Sequence, residues 1–215
     1  MNYGHLFAPV FSVLWYLIPI LILSVLFKSP WFKGKWGEFQ ISLLFKLFLP
    51  KEQYTVLHNI TLPTEDGTTQ IDHIVVSRYG IFVVETKNMK GWIFGSERQD
   101  TWTQKIFKVS HKFQNPLRQN YKHTQTLGNL LGLDSAVIQS VVVFIGDSTF
   151  KTPMPPHVTY ARGCTDYIKS KKTLMLSQEQ VQRICADISR GALRKSFATD
   201  RMHVRHVKEI VRDKG

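Results

Sequence analysis

An uncharged apolar run near the amino terminus constrains this chain more than any other feature. Leu6 to Phe27 is interrupted only by two prolines and two serines, and no Lys, Arg, Asp or Glu precedes Lys28. About 20 helical residues at 1.5 Å each span a bilayer core, where proline is tolerated better than in a soluble helix. The run therefore predicts a membrane anchor. Two alternatives stay open: a cleaved signal peptide, although no basic n-region or A-x-A-like site is visible, and a buried soluble helix, although no polar face is visible.

Lysines follow the run immediately, at Lys28, Lys33 and Lys35. Because positive residues stay on the cytoplasmic side of a membrane, they predict a short outside amino terminus and a cytoplasmic carboxyl-terminal domain. We therefore expect a single-pass protein of the cell inner membrane. Two cysteines, Cys164 and Cys185, are too few for a disulfide framework or a four-cysteine zinc module, as expected of a reduced compartment.

Three regions follow from this composition. We expect an anchor over residues 1–28, a core domain over 29–150, and an extension over 151–215 that completes the domain and ends in a basic tail. Hydrophobic residues make up 43% of the chain, enough for a packed core.

The remaining chain mixes helix and strand patterns. Ser29 to Gly34 is interpreted as a linker, and Trp36 to Leu49 as a helix that Pro50 ends. The best strands, 70–77 and 81–87, are rich in β-branched residues and are separated by a hairpin signal. The further expected elements are strands at 54–62, 92–94, 101–107, 139–146 and 158–161. Two helices are also expected: one starts with Asn115 as its N-cap before Pro116, and the other starts at Ser177 with a capping box to Gln180. This order predicts an α/β fold, with a mixed central β-sheet flanked by helices and preceded by one transmembrane helix.

The hairpin formed by strands 70–77 and 81–87 carries the residues with chemistry. Alternation places Glu85 and Lys87 on one face of their strand and Thr86 on the other. One register places Asp72 opposite Thr86, and a shift of one residue places it opposite Glu85. Either register brings two carboxylates and one ammonium to one end of the sheet.

These side chains suit metal-assisted hydrolysis. Mg²⁺ prefers carboxylate oxygens and retains several waters, so Asp72 and Glu85 would hold an ion that activates water against a phosphodiester. Lys87 would orient or help to deprotonate that water, or neutralise the phosphate. A cross-strand salt bridge is the alternative, because opposite charges are common on neighbouring strands.

A series of motifs in one order resembles the nuclease-related domain, or NERD. The motifs are Gly34-Lys35-Trp36-Gly37-Glu38, Ile71-Asp72-His73, Gly80 to Asn88, Gly91, Trp102-x-Gln104 and Asn115 to Gln119. The resemblance covers roughly Gly34 to Leu131, and the strand at 139–146 also fits. It implies a restriction-endonuclease-like fold of the PD-(D/E)XK nucleases, which use Mg²⁺ to cut phosphodiesters.

The resemblance also implies roles for particular residues. Asp72 and Glu85 match the metal ligands, with Mg²⁺ or alternatively Mn²⁺, Lys87 matches the catalytic lysine, and Glu38 matches the outer acidic residue. Gln104 and Gln119 are accessory candidates. Ile71 stands where the wider superfamily usually has proline. For Glu38 a structural role is the alternative, because a carboxylate in the first turn of a helix interacts favourably with the helix dipole.

A basic segment follows the hairpin and suggests a substrate surface. The chain carries a formal net charge of +12, which attracts polyanions. Between Thr103 and His123 there are five basic residues, no acidic ones, and interleaved aromatics. The candidate nucleic-acid-binding residues are Lys105, Lys108, Lys112, Arg118 and Lys122. A solvated basic face is the alternative.

Taken together, the sequence predicts a membrane-anchored, cytoplasm-facing, Mg²⁺-dependent nuclease, with DNA favoured over RNA as its substrate. Two other functions remain open at this point. One is a nucleic-acid-binding module without catalysis, and the other is a membrane-associated scaffold on a nuclease fold.

Overall fold

The computed structural model describes residues 4–65 and 67–193, with side chains described from Trp15 onward. Two helices come first, α1 (Gly4–Lys28) and α2 (Pro30–Phe48). The strands are β1 (Tyr54–Thr64), β2 (Gly67–Ser77), β3 (Gly80–Asn88), β4 (Gly91–Phe94), β5 (Thr101–Ile106), β6 (Val109–Gln114), β7 (Ile138–Ile145), β8 (Ser148–Phe150) and β9 (Val158–Tyr160). The later helices are α3 (Pro116–Leu131), α4 (Ala161–Ser170) and α5 (Gln178–Gly191).

A five-stranded mixed sheet forms the centre, in the order β1-β2-β3-β7-β9. The strands β1, β2 and β3 form an antiparallel meander, while β7 and β9 run parallel to β3. On one face, Phe45 of α2 and Ile168 of α4 pack against Val84. On the other face, Leu127 of α3 and Ile188 of α5 pack in the core that contains Val83. The predicted α/β class with a mixed sheet and flanking helices is confirmed.

A second, four-stranded sheet lies against the first, in the order β6-β5-β4-β8. Its buried Trp102 stacks on Phe144 of β7, with ring centroids 6.1 Å apart. Ile93 and Val142 belong to the same buried cluster. Sequence reasoning predicted β4 and β5 but missed β6, which has no run of apolar residues and is mostly exposed.

The two sheets are joined by strand pairs that continue from one sheet into the other. The difference in residue number between paired residues is the same for β3 with β7 as for β4 with β8. Glu85 thus pairs with Val142, and Gly91 pairs with Ser148. Gly91 and Gly146 form the two corners, with φ of 80° and 87°. A Cβ at Gly91 would lie 2.5 Å from a backbone carbonyl oxygen, and one at Gly146 would lie 2.6 Å from another. Glycine is therefore required at both corners.

Helix α2 starts earlier than the sequence suggested. Ser29 is its N-cap, and its hydroxyl accepts a hydrogen bond from the Phe32 N–H at 3.1 Å. Pro30 occupies the first turn, where its missing N–H costs nothing. The interpretation of 29–34 as a linker was therefore wrong. Helix α4 was missed altogether, whereas the predicted capping box from Ser177 to Gln180 at the start of α5 is confirmed.

The N-terminal helix α1 leaves its apolar side chains exposed from Trp15 to Phe27. Among the residues whose side chains are described, no single helix has both the length and the apolar character needed to cross a membrane. A sufficient length of apolar helix is reached only by two segments together, Trp15–Lys28 and Pro30–Phe48, and these are bent by 66° relative to each other. The predicted single-pass anchor over Leu6–Phe27 thus stays a prediction. The predicted basic tail lies almost wholly in 194–215, outside the described residues.

Candidate active site

The register of the β2–β3 hairpin sets the acidic cluster. His73 pairs with Val84, so the same register places Asp72 opposite Glu85. Of the two predicted registers, this is the second, in which the pairing is shifted by one residue. The Thr86 N–H donates a 2.8 Å hydrogen bond to Asp72 Oδ2. Because directly opposed residues share a face of the sheet, Asp72 joins Glu85 and Lys87.

Lys87 bridges the buried acid and the neighbouring helix. Its Nζ lies 2.7 Å from Glu85 Oε1 and donates a 2.8 Å hydrogen bond to Gln119 Oε1 on α3. The Glu85 side chain is 4% exposed and that of Lys87 is 20% exposed. The ammonium thus lies between a buried carboxylate and the surface. Of the two accessory glutamines, Gln119 is brought into contact with the predicted site.

His123 is a site residue that sequence reasoning missed. Its Nε2 lies 3.3 Å from Glu85 Oε2, and its Nδ1 lies 2.8 Å from the Thr69 hydroxyl oxygen on β2. Gln119 and His123 are four residues apart and therefore share one face of α3. That spacing, next to a motif already singled out, was the signal that could have identified it.

Asn120 fixes α3 against the sheet between these two residues. Its amide nitrogen lies within hydrogen-bonding distance of three acceptors: the carbonyl oxygens of Val83 and Val141, at 2.9 and 3.1 Å, and the Ser140 hydroxyl oxygen, at 2.8 Å. The predicted N-cap Asn115 is confirmed, because its side-chain oxygen accepts from the second N–H of the helix. The position of α3, and hence of Gln119 and His123, is set by these buried contacts.

The third acid, Glu38, lies on α2 at the rim of the cluster. Lys35 Nζ lies 2.9 Å from Glu38 Oε2 and donates a 3.1 Å hydrogen bond to Asn59 Oδ1. Asn59 stands opposite Asp72 in the β1–β2 register, with a left-handed φ of 52°. Glu38 is thus ion-paired and close enough to act electrostatically on Asp72.

The electrostatics of the cluster differ between its two central acids. Burial, followed by the carboxylates of Glu85 and Glu38, raises the pKa of Asp72 well above its usual range. The Thr86 N–H and Lys87 oppose that rise. Burial also acts to raise the pKa of Glu85, but Lys87 and His123 together outweigh it and lower that pKa to about 2. The cluster contains three carboxylates and two lysines, Lys35 and Lys87, so one negative charge is in excess when all three acids are ionised.

The acidic cluster offers carboxylate oxygens, the donors that hard divalent cations prefer. Among the described residues, no group of three or more His, Cys, Asp or Glu side chains is arranged to hold a metal ion. Mg²⁺ does not require such a group, because it commonly uses one or two carboxylates and completes its shell with waters and substrate phosphates. Asp72 and Glu85 are two carboxylates on one face of the sheet, so the chemistry of this donor set is compatible with Mg²⁺.

Gln104, the other accessory candidate, has a different partner. Its Nε2 donates a 2.8 Å hydrogen bond to the Lys90 carbonyl oxygen, beside the corner that leads from β3 into β4. This bond ties β5 to the chain three residues beyond Lys87. Gln104 therefore supports the position of the β5–β6 hairpin instead of contacting the Lys87 ammonium as Gln119 does.

The predicted basic residues divide into separate groups. Lys105 and Lys112 share the outer face of the second sheet, where Lys105 and Lys151 lie 6.0 and 4.7 Å from the ring centroid of Trp92. Lys108 is exposed in the β5–β6 turn.

The other two predicted basic residues belong to α3. Arg118 is ion-paired with Asp100 and donates to the Arg98 carbonyl oxygen at 3.0 Å. Lys122 is exposed and lines a separate groove with Glu65. The five predicted basic residues therefore lie in separate places and do not form the one continuous patch that their order in the sequence suggested.

The described chain is thus a mixed α/β domain in which two acids and a lysine converge at the end of the β2–β3 hairpin. Residues 33–145 match the family model described as nuclease-related domain, so the chain belongs to that family, as the motifs had indicated. An uncharacterized protein of Bacillus anthracis is 38% identical over 207 residues, covering 94% of this chain and 95% of the relative.

Proposed function

We propose that this chain is a metal-dependent nuclease that hydrolyses phosphodiester bonds, with DNA as the favoured substrate. The observation that carries this proposal is the convergence of Asp72, Glu85 and Lys87 on one face of the β2–β3 hairpin. Membership of the nuclease-related domain family supports the same reading.

Each residue has a distinct role in this proposal. Asp72 and Glu85 would hold Mg²⁺ or Mn²⁺, and Glu38 would add negative potential from the rim. The bound ion would supply Lewis-acid stabilisation of the phosphate and a more acidic water. Lys87 would donate hydrogen bonds to a water or a phosphate oxygen, while Gln119 accepts a hydrogen bond from its ammonium.

The substrate would lie along the outer face of the second sheet. Trp92 is half exposed there, and the ammonium groups of Lys105 and Lys151 lie near its ring. In the β5–β6 turn, Phe107 is 94% exposed beside Lys108. Exposed rings between cations suit nucleic acid, because bases stack on the rings while the cations neutralise phosphates.

We further propose that the domain is tethered to the cytoplasmic face of the inner membrane by Leu6–Phe27. The uncharged apolar run and the lysines that follow it support the tether and its orientation. Protease added to spheroplasts, in which the outer face of the inner membrane is accessible, should remove only a tag placed at the amino terminus. Digestion of a carboxyl-terminal tag under the same conditions would contradict this topology.

The proposed nuclease activity is tested by incubating the full-length chain, in detergent, with circular and linear DNA and with Mg²⁺, Mn²⁺ or EDTA. Asp72→Asn and Lys87→Met are the site variants, and Asp166→Asn is the control because Asp166 is exposed on α4. We expect metal-dependent cutting that both site variants lose and the control keeps.

Two outcomes would contradict the proposed nuclease activity. Cutting that survives both substitutions would mean that the activity lies elsewhere. Folded protein that binds DNA without cutting it under any metal would indicate a non-catalytic nucleic-acid-binding module. The 2.7 Å ion pair between Lys87 and Glu85 would then be purely structural.

A further inference from the structure

Helix α2 is apolar on two opposite faces. Its inner face is buried through Gly37, Ile41 and Phe45. The opposite face carries an outer stripe, formed by Trp36, Phe39, Leu43 and Leu47, whose side chains are 50, 56, 46 and 67% exposed. A helix that is apolar all round is normally covered on every side. Within the described part of the chain nothing covers this stripe, so it needs a partner.

The charges around the stripe indicate the chemistry of that partner. From Lys28 to Lys51 there are five lysines and one acid, Glu38, which is already paired with Lys35. At 100° per residue, the exposed Lys33 lies on one flank of the stripe and the exposed Lys46 lies on the other. Lysines that flank an apolar stripe extend their charged ends towards anionic lipid head groups, while the stripe enters the boundary below.

The setting of α2 supports the same partner. It follows α1, whose apolar side chains are exposed, at an angle of 66° across Ser29. Trp31 and Trp36 are both exposed near this bend, and tryptophan is enriched where a membrane meets water. A groove of about 580 Å³ between α2 and β1 extends the apolar surface beside the stripe.

We propose that the outer stripe of α2 lies in the head-group boundary of an anionic lipid bilayer, with the helix parallel to the membrane plane. A second copy of the chain is a poorer partner, because two-fold pairing through this stripe brings the flanking lysines of both copies together. The proposal rests on the side chains of α2 and requires neither nuclease activity nor a membrane-spanning α1.

The depth of α2 can be measured with a nitroxide at Leu43→Cys in the full-length chain. Cys185→Ser removes the partly exposed thiol, and Cys164 is fully buried. The control label is Gln125→Cys, at an exposed position of α3. The chain is reconstituted into vesicles of phosphatidylcholine with or without phosphatidylglycerol. Collisions with oxygen and with a water-soluble nickel chelate then report depth.

We expect the Leu43 label to lose collisions with the nickel chelate and gain collisions with oxygen, more strongly in the anionic vesicles. The Gln125 label should remain accessible to the chelate in both. Equal chelate accessibility of the two labels would overturn the proposal. Spin–spin broadening of the Leu43 label would also overturn it and would assign the stripe to a second copy. Neither result depends on whether DNA is cut.

Discussion

Replacing Asn120 should reveal how much of the stability of the domain depends on holding α3 against the sheet. Asn120→Leu keeps a similar side-chain shape but removes the amide that donates to Val83, Ser140 and Val141. The buried Asn120 Oδ1 has no hydrogen-bond partner among the described residues, so its removal offsets part of the loss. Asn120→Asp keeps the shape but turns a carboxylate oxygen towards two carbonyl oxygens, and of its three neighbours only the Ser140 hydroxyl can donate to it.

The magnitudes follow from these contacts. A neutral hydrogen bond contributes about 1 kcal/mol net, and a buried polar group left without a partner costs about 1–3 kcal/mol. Asn120→Leu should therefore lower the free energy of unfolding by roughly 2–3 kcal/mol. In a chain of this size that corresponds to about 4–12 °C in the unfolding temperature. Asn120→Asp should lower it further, because a carboxylate would be buried against oxygen atoms.

Thermal unfolding of the full-length chain, followed by circular dichroism in one detergent, measures this order. Gln125→Leu is the matched control, since it makes a similar change at an exposed position of the same helix. The reasoning is refuted if Asn120→Leu unfolds at the temperature of the control, or if the aspartate variant is the more stable of the two Asn120 variants.

Three further predictions rest on single contacts. Gln119→Leu should slow DNA cutting roughly tenfold by releasing Lys87, whereas Gln104→Leu should leave the rate nearly unchanged. Equal cutting rates for the two variants would show that Gln119 does not position Lys87. Trp92→Ala should weaken binding of single-stranded DNA by roughly fivefold to a hundredfold in a fluorescence titration, and unchanged binding would place the substrate elsewhere. Gly37→Ala should lower the unfolding temperature, because its Cβ would lie 2.7 Å from a side-chain carbon of Ile145. Gly34→Ala should raise the unfolding temperature, because its Cβ would have no atom within 4 Å and alanine favours a helix. The opposite order of unfolding temperatures would contradict the packing of α2.

The acidic cluster could be predicted because its members are close in sequence. Asp72, Glu85 and Lys87 lie on two strands joined by a short hairpin, so the hairpin brought them to one end of the sheet, and only the register decided whether Asp72 shares the face of the other two. The register remained open between two values, because both place Asp72 beside the same segment. The contact between Gln119 and Lys87 depends on the placement of α3, and here the family motif supplied what strand geometry could not.

Other features depend on contacts that strand alternation cannot supply. His123 reaches Glu85 only after α3 is fixed, and Asn120 fixes it through β3 and β7. The start of α2 was misplaced because Pro30 and Gly34 indicate a linker unless Ser29 is recognised as a cap. Helix α4 lacks a side-chain hydrogen bond at its N-cap, so no local signal marked its beginning.

The constant offset between β3–β4 and β7–β8 limits how chains of this architecture can change in length. Both sheets share that one alignment, with corners at Gly91 and Gly146. A residue deleted from the corner at 89–90 would pull β4 out of step with β8 unless another were deleted from the corner at 146–147. The loops at 95–100 and 132–137 lie outside both pairs. We therefore expect relatives to vary in length more readily at 132–137 than at 95–100, where the Asn115 side-chain amide binds three backbone carbonyls, and to change the two corners only together.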